Sequence, residues 1–183
     1  MKALYTLLLL ISATLSFAQS GDDEWDDYFM PGVGYKMYIP KNSDSLGVYQ
    51  GVMTEFVIYS RAKGDSSYMS GPARVKTYGN LSIIASNKVE AKDIFFANLG
   101  LNLSFEGHLK RKFLIPYFGL ELGGMFQRNF STFHFSPVAG IQVVSNKKMI
   151  WSIQGGYQYT TKLFDELSGY VFASTFNLLL WNN

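Results

Sequence analysis

The feature that most constrains this chain is a strict alternation of apolar and polar residues, repeated over segment after segment. Residues 94–106 put Phe95, Ala97, Leu99, Leu101, Leu103 and Phe105 on one face and Asn98, Gly100, Asn102, Ser104 and Glu106 on the other. Residues 149–160 set Trp151, Ile153, Gly155, Tyr157 and Tyr159 against Ser152, Gln154, Gly156, Gln158 and Thr160. A period of two places successive side chains on opposite faces of an extended strand and is incompatible with the 3.6-residue period of a helix. The same pattern runs through 114–127, where Leu114, Phe118, Leu120, Leu122 and Phe126 oppose Tyr117, Gly119, Glu121, Gly123 and Gln127. In 133–144 it sets Phe133, Phe135, Ala139, Ile141 and Val143 against His134, Ser136, Gly140 and Gln142. In 169–181 it sets Phe172, Phe176, Leu178 and Leu180 against Ala173, Thr175 and Asn177. Shorter versions occupy 33–39, 50–60 and 75–86. The total is about eight strands, and the expected fold is all-β.

A soluble β-sandwich also alternates, with its polar face in water. Three properties favour an up-and-down antiparallel transmembrane β-barrel over it. The apolar faces approach the length of a tilted membrane strand. Aromatics lie toward strand ends, as at Phe133, Trp151, Tyr159 and Trp181, where interfacial girdles form. The polar faces carry Asn, Gln, Ser, Gly and Tyr with few Lys or Glu, which suits a crowded lumen. Composition agrees: 17 glycines, 12 tyrosines and 15 phenylalanines are unusual for a soluble domain of this length.

Residues 1–18 read as a secretory signal peptide. Lys2 supplies the positive start, Leu4 to Leu15 is mostly apolar, and Ser16-Phe17-Ala18 places small residues before a cut ahead of Gln19. The apolar run is too short to span a bilayer as a helix. Residues 19–32 then form an acidic segment expected to be flexible, and 33–183 the barrel domain. Of 16 basic side chains one lies in the signal, nearly matching the 14 acidic ones. The cations are not clustered as a nucleic-acid surface requires, so no nucleic-acid partner is expected. The absence of cysteine rules out disulfides, a thiol nucleophile and a thiolate metal site.

Connections divide into short and long. Residues 145–148 and 107–112 are tight, whereas 127–132 and 161–168 are longer. With an even strand count this places the former on the periplasmic side and the latter outside. Residues 61–73 break the rule as a long periplasmic loop. Either the count before residue 75 is wrong or this loop serves a partner.

With its signal ending Ser16-Phe17-Ala18, its segment Pro116-Tyr117-Phe118-Gly119-Leu120-Glu121-Leu122-Gly123-Gly124 and its final strand Gly169 to Trp181, the chain resembles the small eight-stranded outer-membrane barrels. These include outer membrane protein X and the membrane domain of outer membrane protein A, and the style is similar to that of Bacteroidetes proteins. The resemblance implies a bacterial outer-membrane address, contact with outer-membrane lipid and a place in the cell envelope. Such barrels usually end on an aromatic residue, whereas here Trp181 precedes Asn182-Asn183.

Chemistry is sparse. Lys36, Glu55, Lys76 and Glu121 are expected to face inward, where two cations and two anions can form an ion-pair network that blocks the pore. A gated ion path is the alternative. His134 and Ser136 share a strand face, so an imidazole could activate a hydroxyl. Their spacing is similar to the His-x-Ser pair of outer-membrane lipid A deacylases. That family adds an acid, for which Glu121 is the candidate. Lumen packing is the competing reading. His108 falls in a tight turn and is expected to be solvated. Trp25, within Asp22-Asp23-Glu24-Trp25-Asp26-Asp27, is a candidate anchor for a periplasmic partner, the same acids being a candidate weak calcium site; a flexible solvated terminus is the alternative. No resident metal or other cofactor is expected. The expected function is a non-enzymatic outer-membrane barrel, structural or accessory to a larger complex. A deacylase and a small channel are the alternatives.

Overall fold

A computed structural model of the chain describes residues 25–62, 74–109, 111–128, 130–146 and 148–182. Residues 1–24, where a signal peptide and the first acids of the candidate calcium site are expected, and residues 63–73 lie outside the described residues. The protein is a closed eight-stranded antiparallel up-and-down barrel. Its strands are β1 (Trp25–Pro40), β2 (Tyr49–Ala62), β3 (Arg74–Ser86), β4 (Ile94–Ser104), β5 (Phe113–Gln127), β6 (Phe130–Ser145), β7 (Met149–Thr160) and β8 (Gly169–Leu178). A two-residue piece, β9 (Trp181–Asn182), continues β8 along β1. Each strand pairs with its sequence neighbours, and β8 closes on β1 from Gly32↔Asn177 to Pro40↔Gly169. Closure removes both sheet edges, so each long strand finds main-chain partners on both sides.

The strands follow the alternation closely, with three differences. First, β1 begins at Trp25 rather than near residue 33, so residues 25–32 pair with β2 as part of the wall. Pro31 and Gly32 hide this extension in the sequence. The cause is pairing: β2 offers a partner at each position from Trp25↔Ala62 onward. Pro31 falls between Phe29↔Trp181 and Gly32↔Asn177, where the ladder on the other side is interrupted. Second, a bulge between Gln142 and Val144 against β7 displaces Val143 from the simple outward series, and Ser145 turns inward. Third, the last strand is interrupted at Leu179–Leu180.

Among the described residues, three one-turn helices lie in the connections: α1 (Ser43–Leu46), α2 (Glu106–Leu109) and α3 (Phe164–Leu167). Among the described residues no helix is long and apolar enough to cross a membrane. The up-and-down order puts the β4–β5 and β6–β7 turns at the end of the barrel that holds Trp25. The connections bearing α1 and α3 lie at the opposite end. Two strands precede β3, which keeps the β2–β3 connection at the terminus end. His108 lies in α2, and its side chain is outside those described.

Side-chain placement is inverted relative to a water-soluble protein. Val33, Val52, Ile83, Leu99, Phe118, Phe135, Ile153 and Phe172, one from each of the eight strands, are all exposed. Lys36, Glu55, Asn80, Asn98, Glu121, His134, Ser152 and Thr175, again one from each, are buried. The polar face of every strand points into the barrel.

Candidate functional site

The interior is built in layers. At the terminus end Tyr28, Met30, Val57, Tyr59, Tyr78 and Ile150 form an apolar cluster, with Tyr28 and Tyr59 stacked at 4.9 Å. At the far end Tyr38, Tyr49, Ile84, Ile94, Phe96 and Met125 form a second, joined by Leu167 from α3. The Tyr38 hydroxyl donates to the Leu167 carbonyl, which holds α3 against the mouth of the barrel. Lys41 and Asp165 pair at 2.8 Å across the same mouth. Between these plugs lies the charged layer.

Lys36, Glu55 and Lys76 are each 2% exposed and Glu121 is 3% exposed, so all four sit inside. They form two groups. In the first, Glu121 Oε1 accepts the Tyr78 hydroxyl at 2.8 Å and the Gln154 amide at 2.7 Å. Tyr117 donates in turn to Gln154 Oε1 at 3.0 Å. Lys36 Nζ lies 4.2 Å from the centroid of Phe96. It orients the Asn98 amide, whose oxygen faces the ammonium at 3.1 Å while its nitrogen donates to His134 Nε2 at 3.0 Å. The opposite orientation would press an NH₂ group against a cation. Lys36 and Glu121 also line a cavity of about 10 Å³, the space of a single water. In the second group, Lys76 Nζ and Glu55 Oε1 are 3.7 Å apart, and Thr175 donates to Glu55 Oε1 at 3.3 Å. Ser152 and Thr175 share a hydrogen bond of 2.7 Å. Buried charges persist when opposite charges and hydrogen bonds compensate their desolvation, and both groups supply these.

Strand parity locates the four charges inside but does not identify their partners. Tyr78, Tyr117, Asn98 and Gln154 lie on the polar faces and could have been nominated by parity alone. What parity lacks is reach across the lumen, as from Tyr78 on β3 to Glu121 on β5. Glycines make that reach possible. A Cβ at Gly100 would come within 2.1 Å of Tyr78 Cζ, and one at Gly140 within 2.6 Å of Tyr117 Cζ.

His134 and Ser136 are brought to the lumen, 0% and 1% exposed. His134 packs edge-on to Phe96 at 5.5 Å and contacts Asn98, not Ser136. Among the described residues, His134 Nδ1 and Ser136 Oγ have no hydrogen-bond partner. Glu121 is the register partner of Ser136, but its carboxylate accepts from Tyr78 and Gln154. A hydrolytic relay needs nucleophile, base and orienting acid in hydrogen-bonded sequence with access for substrate. The three groups are near one another without forming that sequence. Trp25 opens β1 opposite Ala62, and its side chain lies outside those described.

Searches against protein-family models, curated proteins and solved structures find no match for the chain.

Proposed function

We propose that this chain is an exported protein whose barrel spans a bacterial-type outer membrane and acts there as a non-enzymatic structural or accessory subunit. The observation carrying this reading is the inverted barrel: apolar side chains cover the outside of all eight strands, while charged and amide side chains fill the inside. A soluble monomer rarely exposes an apolar patch larger than a few hundred Å², whereas here the apolar surface encircles the wall. Hydrocarbon makes such a surface favourable, and a closed barrel leaves no unpaired strand edge facing lipid.

The two apolar plugs favour a sealed lumen over a channel, since an ion would have to pass Tyr28, Tyr59 and then Tyr38, Phe96 and Leu167. The enclosure of His134 and Ser136 favours packing over hydrolysis, because a lipid ester in the bilayer has no approach to them. The test is migration and flotation. Unboiled protein in detergent should migrate apart from boiled protein on a denaturing gel, and refolded protein should float with phosphatidylcholine vesicles. A monodisperse species that is fully soluble without detergent would overturn the membrane reading.

A further inference from the structure

We propose that the barrel rim where the β4–β5 and β6–β7 turns meet binds the phosphate headgroup of an anionic phospholipid. The inference rests on the membrane reading above and adds a site and a ligand class to it.

The two turns are adjacent in space. The Ser145 amide donates to the Lys112 carbonyl at 2.7 Å, and Phe113 pairs with Val144. Among the described residues they carry Arg111, Lys112 and Lys148, three basic residues on one arc of the rim. Lys148 is exposed, and Arg111 and Lys112 are half-buried. The one carboxylate in these turns, Glu106, is buried. The opposite end differs. There Lys41, Lys88, Lys92, Arg128 and Lys162 are interspersed with Asp44, Glu90, Asp93, Asp165 and Glu166, and Lys41 pairs with Asp165.

Arg111 sits directly on an apolar shelf. Phe113 and Leu114 are consecutive, yet both are exposed, because Leu114 adopts a left-handed backbone with φ of 48°. A regular strand would turn one of them inward. This conformation is unfavourable for leucine and is held by a specific contact: Arg111 Nη2 donates to the Leu114 carbonyl at 2.5 Å. The same guanidinium lies 5.8 Å from the Phe113 ring centroid. A planar cation is thus tethered at the margin of the apolar wall, which continues through Phe118 and Trp151. A phospholipid matches both halves. Its phosphate oxygens accept from guanidinium and ammonium groups, and its acyl chains lie along Phe113 and Leu114. Net negative charge selects an anionic headgroup over a zwitterionic one.

The test uses the full chain, first checked for flotation with phosphatidylcholine vesicles. Native mass spectrometry in mild detergent then compares retention of phosphatidylglycerol and phosphatidylcholine. Retention of phosphatidylglycerol should exceed that of phosphatidylcholine, and each cation neutralised should reduce the preference by about five-fold. The Arg111→Gln/Lys148→Gln variant should lose most of it, while Lys88→Gln/Lys92→Gln at the other end should keep it. High salt should also abolish the preference in the unmodified chain, a readout independent of variant folding. Equal retention of the two lipids by a chain that floats would overturn this inference alone. Displacement by equimolar inorganic phosphate would show a free-anion site and overturn it too. Failure to float would overturn the membrane reading and this inference with it.

Discussion

Tyr78 on β3 and Glu121 on β5 meet inside the barrel, the tyrosine hydroxyl donating to Oε1 at 2.8 Å across the width of β4. This bond links the apolar cluster at the terminus end, to which Tyr78 belongs, with the charged layer that contains Lys36. The ring reaches the carboxylate by passing over Gly100, so one buried acid depends on a strand that contributes no side chain at that point.

Removing the charge of Glu121 should therefore be costly. Glu121→Gln keeps the shape but leaves Lys36 with less compensation, at about 3–5 kcal/mol if the layer is dry. Urea unfolding of vesicle-refolded protein measures this. Combining it with Lys36→Met should recover part of the loss, because the two sites are coupled. Unchanged unfolding of Glu121→Gln would mean that water reaches the layer.

Gly100→Val should clash with the Tyr78 ring and destabilise the barrel by about 1–3 kcal/mol. The same substitution in a Tyr78→Ser background should cost much less, since the ring is gone. Equal costs in both backgrounds would disprove the close approach.

Leu120 lies midway along β5 and is 42% exposed. On a soluble protein, replacing a partly exposed leucine with arginine would change stability by roughly 0.5 kcal/mol or less. At the centre of a bilayer Leu120→Arg should cost about 2–4 kcal/mol. Unfolding titrations from vesicles distinguish the two outcomes directly.

Ser136 carries a buried hydroxyl without a partner among the described residues. Ser136→Ala should leave stability unchanged or raise it, since an unsatisfied buried hydroxyl costs about 1–3 kcal/mol. Lipid A incubated with the purified protein should keep its acyl chains by mass spectrometry. Loss of an acyl chain that required both Ser136 and His134 would instead establish hydrolysis.

Planar-bilayer recordings should show no steady conductance, because both plugs would have to open. A regular open level in the unmodified chain would rule out the sealed lumen.

The alternation in residues 94–160 was enough to assign strands, their inward and outward faces and the all-β class, because a period of two is a local property of extended backbone. The interior position of Lys36, Glu55, Lys76 and Glu121 followed from the same parity. Other features were not local. The start of β1 at Trp25 depends on β2 supplying partners as far as Ala62, which no pattern within residues 25–32 reveals. The bulge at Val143 depends on how β6 meets β7. The pairing of Glu121 with Tyr78 and Gln154 depends on closure of the barrel, which brings separate strands within hydrogen-bond distance. Closure likewise left His134 on Asn98 instead of Ser136, although two residues two apart on one strand share a face. Sequence determines which side of the wall a residue occupies; only the closed tertiary structure selects its partner there, because partners across a lumen are set by barrel width, register and the space that glycines leave.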